Sequence, residues 1–328
     1  MLRAEIIEKL YDIVDETTMM ISAEEGIGYL HALNASCQNI LNDQVNSKVE
    51  AQTIEALKKH YSQIEGLGFS QEEIRKALQL AILKGLKADR VTNAAMTPDS
   101  IAMITGYLFS KFMKSIEKLA IADLTVGTGN FLTAVLNHLE TPPAKVYGVD
   151  VSEDLLQVAY TLADMQEHEI QFYQQSSLKS MMIEPLDAII SDLPADGLEN
   201  SDLSGADLSL AKQGSNYLPY LLMENHLRYL KPGGYGFYVI PNDLFSQAHN
   251  KEFHTLLTKE AEIQALLQLP DTLFKSGDLG KSIFVIQKKG GQSTPVKEVL
   301  AARLPSFSDH GKLTGMLGRI DAWIAANK

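Results

Sequence analysis

The stretch 121–132, near the middle of the chain, constrains the fold more than any other part of the sequence. Its apolar first half predicts a short buried strand, its glycines predict a tight turn, and its end begins a predicted helix over 131–139. Gly127 and Gly129 have no Cβ, so a ligand can closely approach the backbone of the turn. The free N–H groups of the helix would face this turn, and helix N-termini accept anionic groups such as a carboxylate.

Two acids flank the turn and indicate which ligand it holds. Asp123 lies four residues before Gly127, and Asp150 ends the next predicted strand, 145–150. A dinucleotide fingerprint needs a third glycine three residues after the second, where this chain has Leu132. One acid for an ammonium group and one for a ribose diol fit S-adenosylmethionine better than NAD. The alternative is an ordinary βαβ unit, because turns with two glycines are common.

Strands and helices alternate after the turn, which predicts an α/β fold. The pattern indicates a doubly wound, mostly parallel, Rossmann-like sheet with helices on both faces. Asp150, Ser176 and Asp192 then fall at strand carboxyl ends, the edge where such sheets bind ligands. The further predicted strands are 145–150, 170–173, 186–191, 235–240, 263–269 and 282–287, and the further predicted helices are 152–167, 216–230 and 311–326.

Residues 1–95 are predicted to form a separate N-terminal helical domain, and residues 96–328 the α/β domain. Apolar residues recur at helical spacing in the first part, and Ser70 with Glu73 has the form of a capping box. The segment 93–96 is the predicted joint, and Thr97 before Pro98 is predicted to cap the next helix. The helical domain has no catalytic constellation, so packing, a lid, docking and dimerisation remain open as its role.

Composition excludes several classes of protein. The chain of 328 residues has no apolar run of the roughly 20 residues that span a bilayer. Its single cysteine, Cys37, excludes an internal disulfide and a cysteine-based zinc site, and a reducing cytoplasm is the expected location. The net charge of −12 counts against broad nonspecific binding to nucleic acid. The most basic candidate cluster, more simply read as a solvated face, is Lys275, Lys281, Lys288 and Lys289.

Taken in order, the motifs resemble those of class I S-adenosylmethionine-dependent methyltransferases. More narrowly, they resemble the N6-adenine DNA methyltransferases, above all the modification subunits of type I restriction systems. The matching segments are 97–98, 123–132, 150, 176–178, 230–234, 240–242 and 269–274. At 176–178 the family has an acid before Ser-Leu that contacts the cofactor's adenine, and this chain lacks that acid.

The resemblance implies a methyltransferase sheet with S-adenosyl-L-methionine as its cofactor. It also implies a set of cofactor-binding residues, carried over position by position. They are Thr97, Asp123, Thr125, Gly127, Thr128, Gly129, Asn130, Phe131, Asp150, Val151, Ser176, Ser177 and Leu178.

The family's catalytic motif, Asn or Asp followed by Pro, Pro and an aromatic residue, falls on residues 192–195. The implied catalytic residues are Asp192, Leu193 and Pro194, and Ala195 replaces the aromatic residue that stacks on the flipped base. The exocyclic amine of adenine is a poor nucleophile, because its lone pair is delocalised into the ring. A side-chain oxygen and a backbone carbonyl that accept its hydrogens localise that pair toward the methyl group, and positioning is the main catalytic contribution.

Ala195 weakens the catalytic assignment, because base stacking is typically worth ~1–3 kcal/mol. Tyr217 and Phe245 are candidate replacements for the missing ring. An ordinary exit from strand to loop is the alternative interpretation of residues 192–195.

Three functions therefore remain open at this stage. The first is an adenine-N6 DNA methyltransferase; the second is a cofactor-binding module without DNA base chemistry; the third is an RNA or protein N-methyltransferase. Fewer than about forty residues follow position 290, too few for a separate DNA-reading domain. DNA would then be read with a specificity subunit or through residues 1–95, which could equally form a homodimer.

Overall fold

The computed structural model describes residues 2–91, 96–114, 116–194, 203–274, 280–291, 293 and 295–328. Within these residues, the helices are α1 (Ala4–Glu25), α2 (Tyr29–Leu41), α3 (Ala51–Tyr61), α4 (Gln71–Ala88), α5 (Asp99–Phe112), α6 (Asn130–Leu136), α7 (Glu153–Met165), α8 (Ser209–Lys212), α9 (Leu218–Tyr229), α10 (Asn250–Glu260) and α11 (His310–Asn327). The strands are β1 (Ala120–Asp123), β2 (Lys145–Asp150), β3 (Gln171–Gln174), β4 (Leu186–Asp192), β5 (Leu230–Pro241), β6 (Ala261–Gln268), β7 (Lys281–Lys288) and β8 (Leu300–Arg303). No helix in these ranges is both long enough and apolar enough to cross a membrane.

One mixed sheet forms the centre of the fold, with strand order β3-β2-β1-β4-β5-β7-β6-β8. The first five strands in that order are parallel, β7 is antiparallel to both of its neighbours, and β8 is parallel to β6. This confirms the predicted doubly wound, mostly parallel α/β sheet. The chain order reverses between β1 and β4, and such a switch point opens a crevice at the strand carboxyl ends.

Apolar side chains cover both faces of the sheet. Neighbouring residues of β5 point to opposite faces, so Phe237 and Tyr238 belong to different cores. On one face Phe237 lies 5.0 Å from Phe109 of α5, measured between ring centroids. On the other face Tyr220 of α9 stacks on Phe253 of α10 at 4.1 Å. Helices therefore pack on both faces of the sheet, and this packing supports the edge where the strands end.

The N-terminal helices form a bundle that packs against α7. Their core includes Leu10, Leu33 and Leu78, and it continues into Val158 and Leu162 of α7. The predicted capping box of α4 is confirmed, because the Ser70 hydroxyl accepts the Glu73 N–H and the Glu73 carboxylate accepts the Ser70 N–H. The predicted domain boundary at residue 95 lies in the undescribed segment 92–95 and stays a prediction.

The segment 231–234 lies between the predicted helix 216–230 and the predicted strand 235–240, but it does not separate the two elements. It lies inside β5, where Leu230 pairs with Leu186 and Tyr235 pairs with Ala188, so the extra residues bulge from the ladder. A Cβ on Gly234 would lie 3.0 Å from the carbonyl oxygen of Asp187, so glycine allows this close approach to the neighbouring strand. Strand β8 is absent from the sequence prediction, because its four residues, Leu-Ala-Ala-Arg, show no alternation of apolar and polar residues.

Candidate cofactor and catalytic site

A cavity of about 140 Å³ lies at the switch point, beside the carboxyl ends of β1, β2 and β4. It is lined by Thr97, Asp123, Thr125, Val126, Gly127, Thr128, Phe131, Asp150, Leu155, Asp192 and Pro194. Four larger hollows, of about 560, 550, 490 and 380 Å³, lie beyond the carboxyl end of α5, in the helical domain, at the start of β5 and along α7. None of the four is lined by the glycine turn or by the acids that end β1, β2 and β4, so the smaller cavity at the switch point is the candidate site. Ligand pockets usually measure about 300–1,000 Å³, so a nucleoside would extend beyond the cavity.

The glycine turn has the conformation that its sequence predicts. Gly127 and Gly129 have φ of +51° and +78°, a left-handed region that favours glycine. A Cβ on Gly129 would also lie 3.1 Å from the Cβ of Ala159 on α7. The turn therefore needs glycine both for its backbone and for the packing of the helix beneath it.

Asp150 fixes the turn from the end of β2. One carboxylate oxygen accepts the N–H of Gly127 at 2.8 Å, and the other accepts the N–H of Ser152 at 2.9 Å. Ser152 in turn caps α7 by accepting the N–H of Leu155. Each carboxylate oxygen has a second lone pair, so Asp150 can still accept hydrogen bonds from a diol.

Asp123 is the buried acid of the site, with 1% of its surface exposed. Its carboxylate accepts the N–H of Thr125 at 3.0 Å. Burial above all, and also the nearby carboxyl groups of Asp150 and Asp192, raise the pKa of Asp123 to about 8. At neutral pH this carboxyl group is therefore mostly protonated, and binding of a cation beside it would favour loss of the proton.

Asp192 ends β4 and accepts a hydrogen bond at each carboxylate oxygen. The Nζ of Lys281 lies 2.5 Å from Oδ1, and the hydroxyl of Thr97 donates to Oδ2 at 2.9 Å. The prediction that Thr97 caps α5 is therefore wrong: the helix begins at Asp99 with Pro98 as its N-cap residue, and the Thr97 side chain makes no capping bond. Contact with the distant strand β4 outweighs the local capping pattern.

Several residues predicted to bind the cofactor do not line the cavity. Asn130 is buried and bonds the guanidinium of Arg75 and the carbonyl of Thr97. Ser176 accepts the N–H of Leu178 at 3.3 Å, and the Ser177 hydroxyl donates to a carbonyl of the β1 turn. The others in this group are Gly129, Val151 and Leu178, of which Val151 is largely exposed.

The catalytic segment is only partly described. Pro194 lines the cavity, whereas the Leu193 side chain is buried and its N–H donates to the carbonyl of Val239. Ala195 lies outside the described residues. Neither candidate replacement for the aromatic ring lines the cavity: Tyr217 packs edge-on against Tyr220, and Phe245 is partly exposed.

Sequence reasoning missed three contributors to the site. Val126 and Leu155 form apolar walls of the cavity, and Arg75 reaches the start of α6 from the helical domain. The sequence places Lys281 only in a candidate basic cluster, which the described residues do not form. Lys281 and Lys288 stand at opposite ends of β7, roughly 23 Å apart for a strand of that length, and Lys275 is outside the described residues.

The residues present fit S-adenosylmethionine. The Thr128 hydroxyl is buried at the cavity with no hydrogen-bond partner among the described residues, so it is available to a ligand. Asp123 would hold an ammonium group, and Asp150 would hold the ribose diol. Among the described residues, three carboxyl groups line the cavity and one lysine, Lys281, pairs with one of them, and such an excess of acid suits a cationic ligand.

Comparison with known proteins identifies the class. Residues 94–306 match the family model of the N-6 DNA methylases, and residues 8–86 match that of the YtxK N-terminal helical domain. The chain belongs to the N-6 DNA methylase family. It has the fold of the class I S-adenosylmethionine-dependent methyltransferases, whose cofactor supplies a sulfonium methyl group for transfer.

The whole chain also resembles individual proteins. It is 33% identical to the uncharacterized protein YtxK of Bacillus subtilis over 322 residues, which cover 97% of this chain and 98% of that protein. It is 33% identical to a proposed class I S-adenosylmethionine-dependent methyltransferase of Listeria monocytogenes, with a TM-score of 0.88 and coverage of 98% and 100%. A type I restriction-modification methyltransferase subunit of Streptococcus thermophilus shares the fold, at 13% identity and a TM-score of 0.66, over 97% of this chain and 73% of that one.

Proposed function

We propose that the protein is an S-adenosylmethionine-dependent N-methyltransferase that acts on the exocyclic amine of adenine in DNA. The observation that carries the proposal is the position of Asp192. This acid ends the strand next to the glycine turn and lines the same cavity as Asp123 and Asp150. The acceptor for an amine and the acids for the cofactor therefore lie at one edge of the sheet.

The reacting amine needs two hydrogen-bond acceptors. The carboxylate of Asp192 and the backbone carbonyl of Leu193 would accept its hydrogens and direct its lone pair toward the methyl group. Thr97 and Lys281 each use one lone pair of the carboxylate, so one remains on each oxygen for the amine. Catalysis then consists mainly of placing the amine in line with the bond that breaks.

DNA would have to be recognised with help from elsewhere. The net charge of −12 opposes a broad phosphate-binding surface. A specificity subunit, or a second copy of this chain bound through residues 1–95, would then supply sequence recognition. Two proteins that share the fold are described as parts of type I restriction-modification systems, and this description supports recognition with the help of another subunit.

A methyltransferase-like module that binds the cofactor without base chemistry is the second candidate. Two observations favour it: both oxygens of Asp192 already accept bonds from this chain, and the segment after Asp192 has Leu193 and Ala195 where the family has proline and an aromatic residue. Transfer to RNA or to protein is the remaining alternative, because a planar amine in either could use the same acceptors.

The deciding experiment measures transfer of a labelled methyl group from S-adenosylmethionine to DNA, RNA and cell protein. Asp192→Ala is expected to lower transfer at least 100-fold while calorimetric affinity for the cofactor changes less than about threefold. Asp187→Ala is the matched control, because this acid lies at the other end of β4 and pairs with Lys231 instead. Cofactor binding without transfer to any substrate would favour the second candidate.

A further inference from the structure

Arg75 of the helical domain is buried completely, although arginine is seldom buried without partners. Its guanidinium donates to the carboxylates of Glu72 and Asp99 and, through Nη1, to the side-chain oxygen of Asn130 at 2.7 Å. The two carboxylates balance its charge. The bond to Asn130 is not needed for charge balance, and it connects the helical domain to the first residue of α6.

Asn130 passes this contact on toward the reacting acid. Its side-chain amide donates to the carbonyl of Thr97 at 3.2 Å, and the Thr97 hydroxyl donates to Asp192 at 2.9 Å. Asn130 also directly follows Gly129, so its position sets where the N–H groups at the start of α6 point. A single buried amide therefore touches both the cofactor turn and the segment that holds Asp192.

Two residues of helix α4 contact the two ends of α6. Arg75 bonds Asn130 at the first residue of α6, and Glu72 accepts a bond from Asn137, just after its last residue, at 3.0 Å. The helix between them has only seven residues, so it is short for a stable helix on its own. Its placement depends on what it is packed against.

We infer that Arg75 is a positioning residue of the S-adenosylmethionine site, and that the helical domain completes this site by fixing α6 through the Arg75–Asn130 hydrogen bond. The inference rests on cofactor binding and is independent of the identity of the methylated substrate. It gives the buried Asn130 a role different from direct contact with the cofactor: the residue holds the turn, and the turn holds the ligand.

The test is the affinity of the full-length protein for S-adenosylmethionine, measured by titration calorimetry well below the unfolding temperature. Arg75→Lys keeps a positive charge beside Glu72 and Asp99, but an ammonium cannot reproduce the fork that also reaches Asn130. We expect its affinity to fall about tenfold, the loss that one charge-assisted hydrogen bond can cause. Arg3→Lys is the matched control, since Arg3 also contacts α4 through Glu73; its affinity should stay within twofold of the wild type.

Asn130→Ala removes the same bond from the other side, together with the bond to the Thr97 carbonyl, and keeps Arg75 paired with its carboxylates. Its affinity should fall at least as far as that of Arg75→Lys, and the double variant should bind no more weakly than Asn130→Ala, because the bond that Arg75→Lys breaks is already absent. An affinity within twofold of the wild type in either folded single variant would overturn the inference. So would losses that multiply in the double variant, which would mean that the two residues act separately. A wild-type protein that binds no S-adenosylmethionine would overturn both the inference and the cofactor assignment. A protein that binds the cofactor but transfers no methyl group to DNA would not affect this test, because every measurement in it is an affinity for the cofactor.

Discussion

Two groups of carboxylates in this protein differ in how their charge is balanced. Where the helical domain meets α5, Glu72 of α4 and Asp99 of α5 share the buried guanidinium of Arg75, and Lys76 adds a second cation beside Asp99. At the edge of the sheet, three acids line one cavity and a single lysine pairs with one of them. The first group is a closed ion-pair network, whereas the second has more acid than its own cations can balance.

The pKa values of the two groups follow this difference. Burial opposes ionisation of Glu72, but the hydrogen bond and charge of Arg75 outweigh it and lower the pKa of Glu72. Burial likewise opposes ionisation of Asp123, and among the residues that the structure describes no cation compensates, so its pKa rises to about 8. Carboxylates whose charge is balanced by cations of the same chain stabilise the fold, whereas carboxyl groups without such cations can bind a positively charged ligand.

The largest effect should come from breaking the balanced group. Glu72→Met leaves the fully buried Arg75 with one carboxylate partner fewer, and uncompensated buried charge is costly. We expect the free energy of unfolding, measured by urea denaturation, to fall by about 3 kcal/mol. Glu55→Met removes the exposed pair with Lys58 and should cost at most about 0.5 kcal/mol. Equal losses in the two variants would show that the buried network is no more important to stability than an exposed ion pair.

The unbalanced group should make stability depend on pH. Folded Asp123 keeps its proton up to about pH 8, whereas the unfolded chain loses it near the ordinary value of 3.8. Between these values the folded state binds more protons, so this residue's contribution to stability falls as pH rises, with a slope of at most about 1.4 kcal/mol per pH unit. Urea denaturation from pH 5 to pH 8 should therefore show a more negative slope for the wild type than for Asp123→Asn. Parallel curves for the two proteins would contradict the protonated state of Asp123.

The same acid should also contribute to the affinity for the ligand. Asp123→Asn removes the carboxylate that would pair with the cofactor's ammonium group, a charged hydrogen bond worth roughly 10- to 100-fold in affinity. We expect calorimetry to show that loss for S-adenosylmethionine. Wild-type affinity should also rise from pH 6 to pH 7.5, a range in which the cofactor's ammonium group stays largely protonated and binding requires Asp123 to lose its proton, and the variant should lack that rise. Asp187→Asn, on β4 but paired with Lys231, is the control.

Much of the fold could be predicted because its signals are local. The bounds of β2 agree with the prediction at both ends, since its run of apolar residues stops at Asp150. Ser152 caps α7 as its sequence indicates. The turn of Gly127 and Gly129 could be located for the same reason: its conformation depends on the residues that form it.

The electrostatic environment of the site could not be predicted, because its contacts join distant parts of the chain. Lys281 reaches Asp192 only because β7 runs antiparallel beside β5, and no local pattern encodes that strand order. Arg75 lies in a helix whose apolar spacing gives no reason to bury a charge. Thr97 has the sequence of a helix cap, yet a carboxylate from β4 takes its hydroxyl. Local pattern therefore locates the turn, and only the tertiary structure identifies its charged partners.

The smallest predicted effect concerns Lys281, the one described cation that pairs with the acids of the cavity. S-adenosylmethionine carries one more positive charge than S-adenosylhomocysteine, its demethylated product, so a nearby ammonium should disfavour the former. Lys281→Met is expected to increase the ratio of the two affinities, S-adenosylmethionine over product, about two- to fivefold, an effect of less than ~1 kcal/mol across a solvent-accessible site. Lys281→Arg retains the charge and should leave the ratio unchanged. Because both ligands share every other group, the ratio isolates charge from packing. If it stays constant in Lys281→Met while Asp123→Asn still loses affinity, the cofactor is recognised by individual hydrogen bonds, and the excess of acid in the cavity is not what selects a cation.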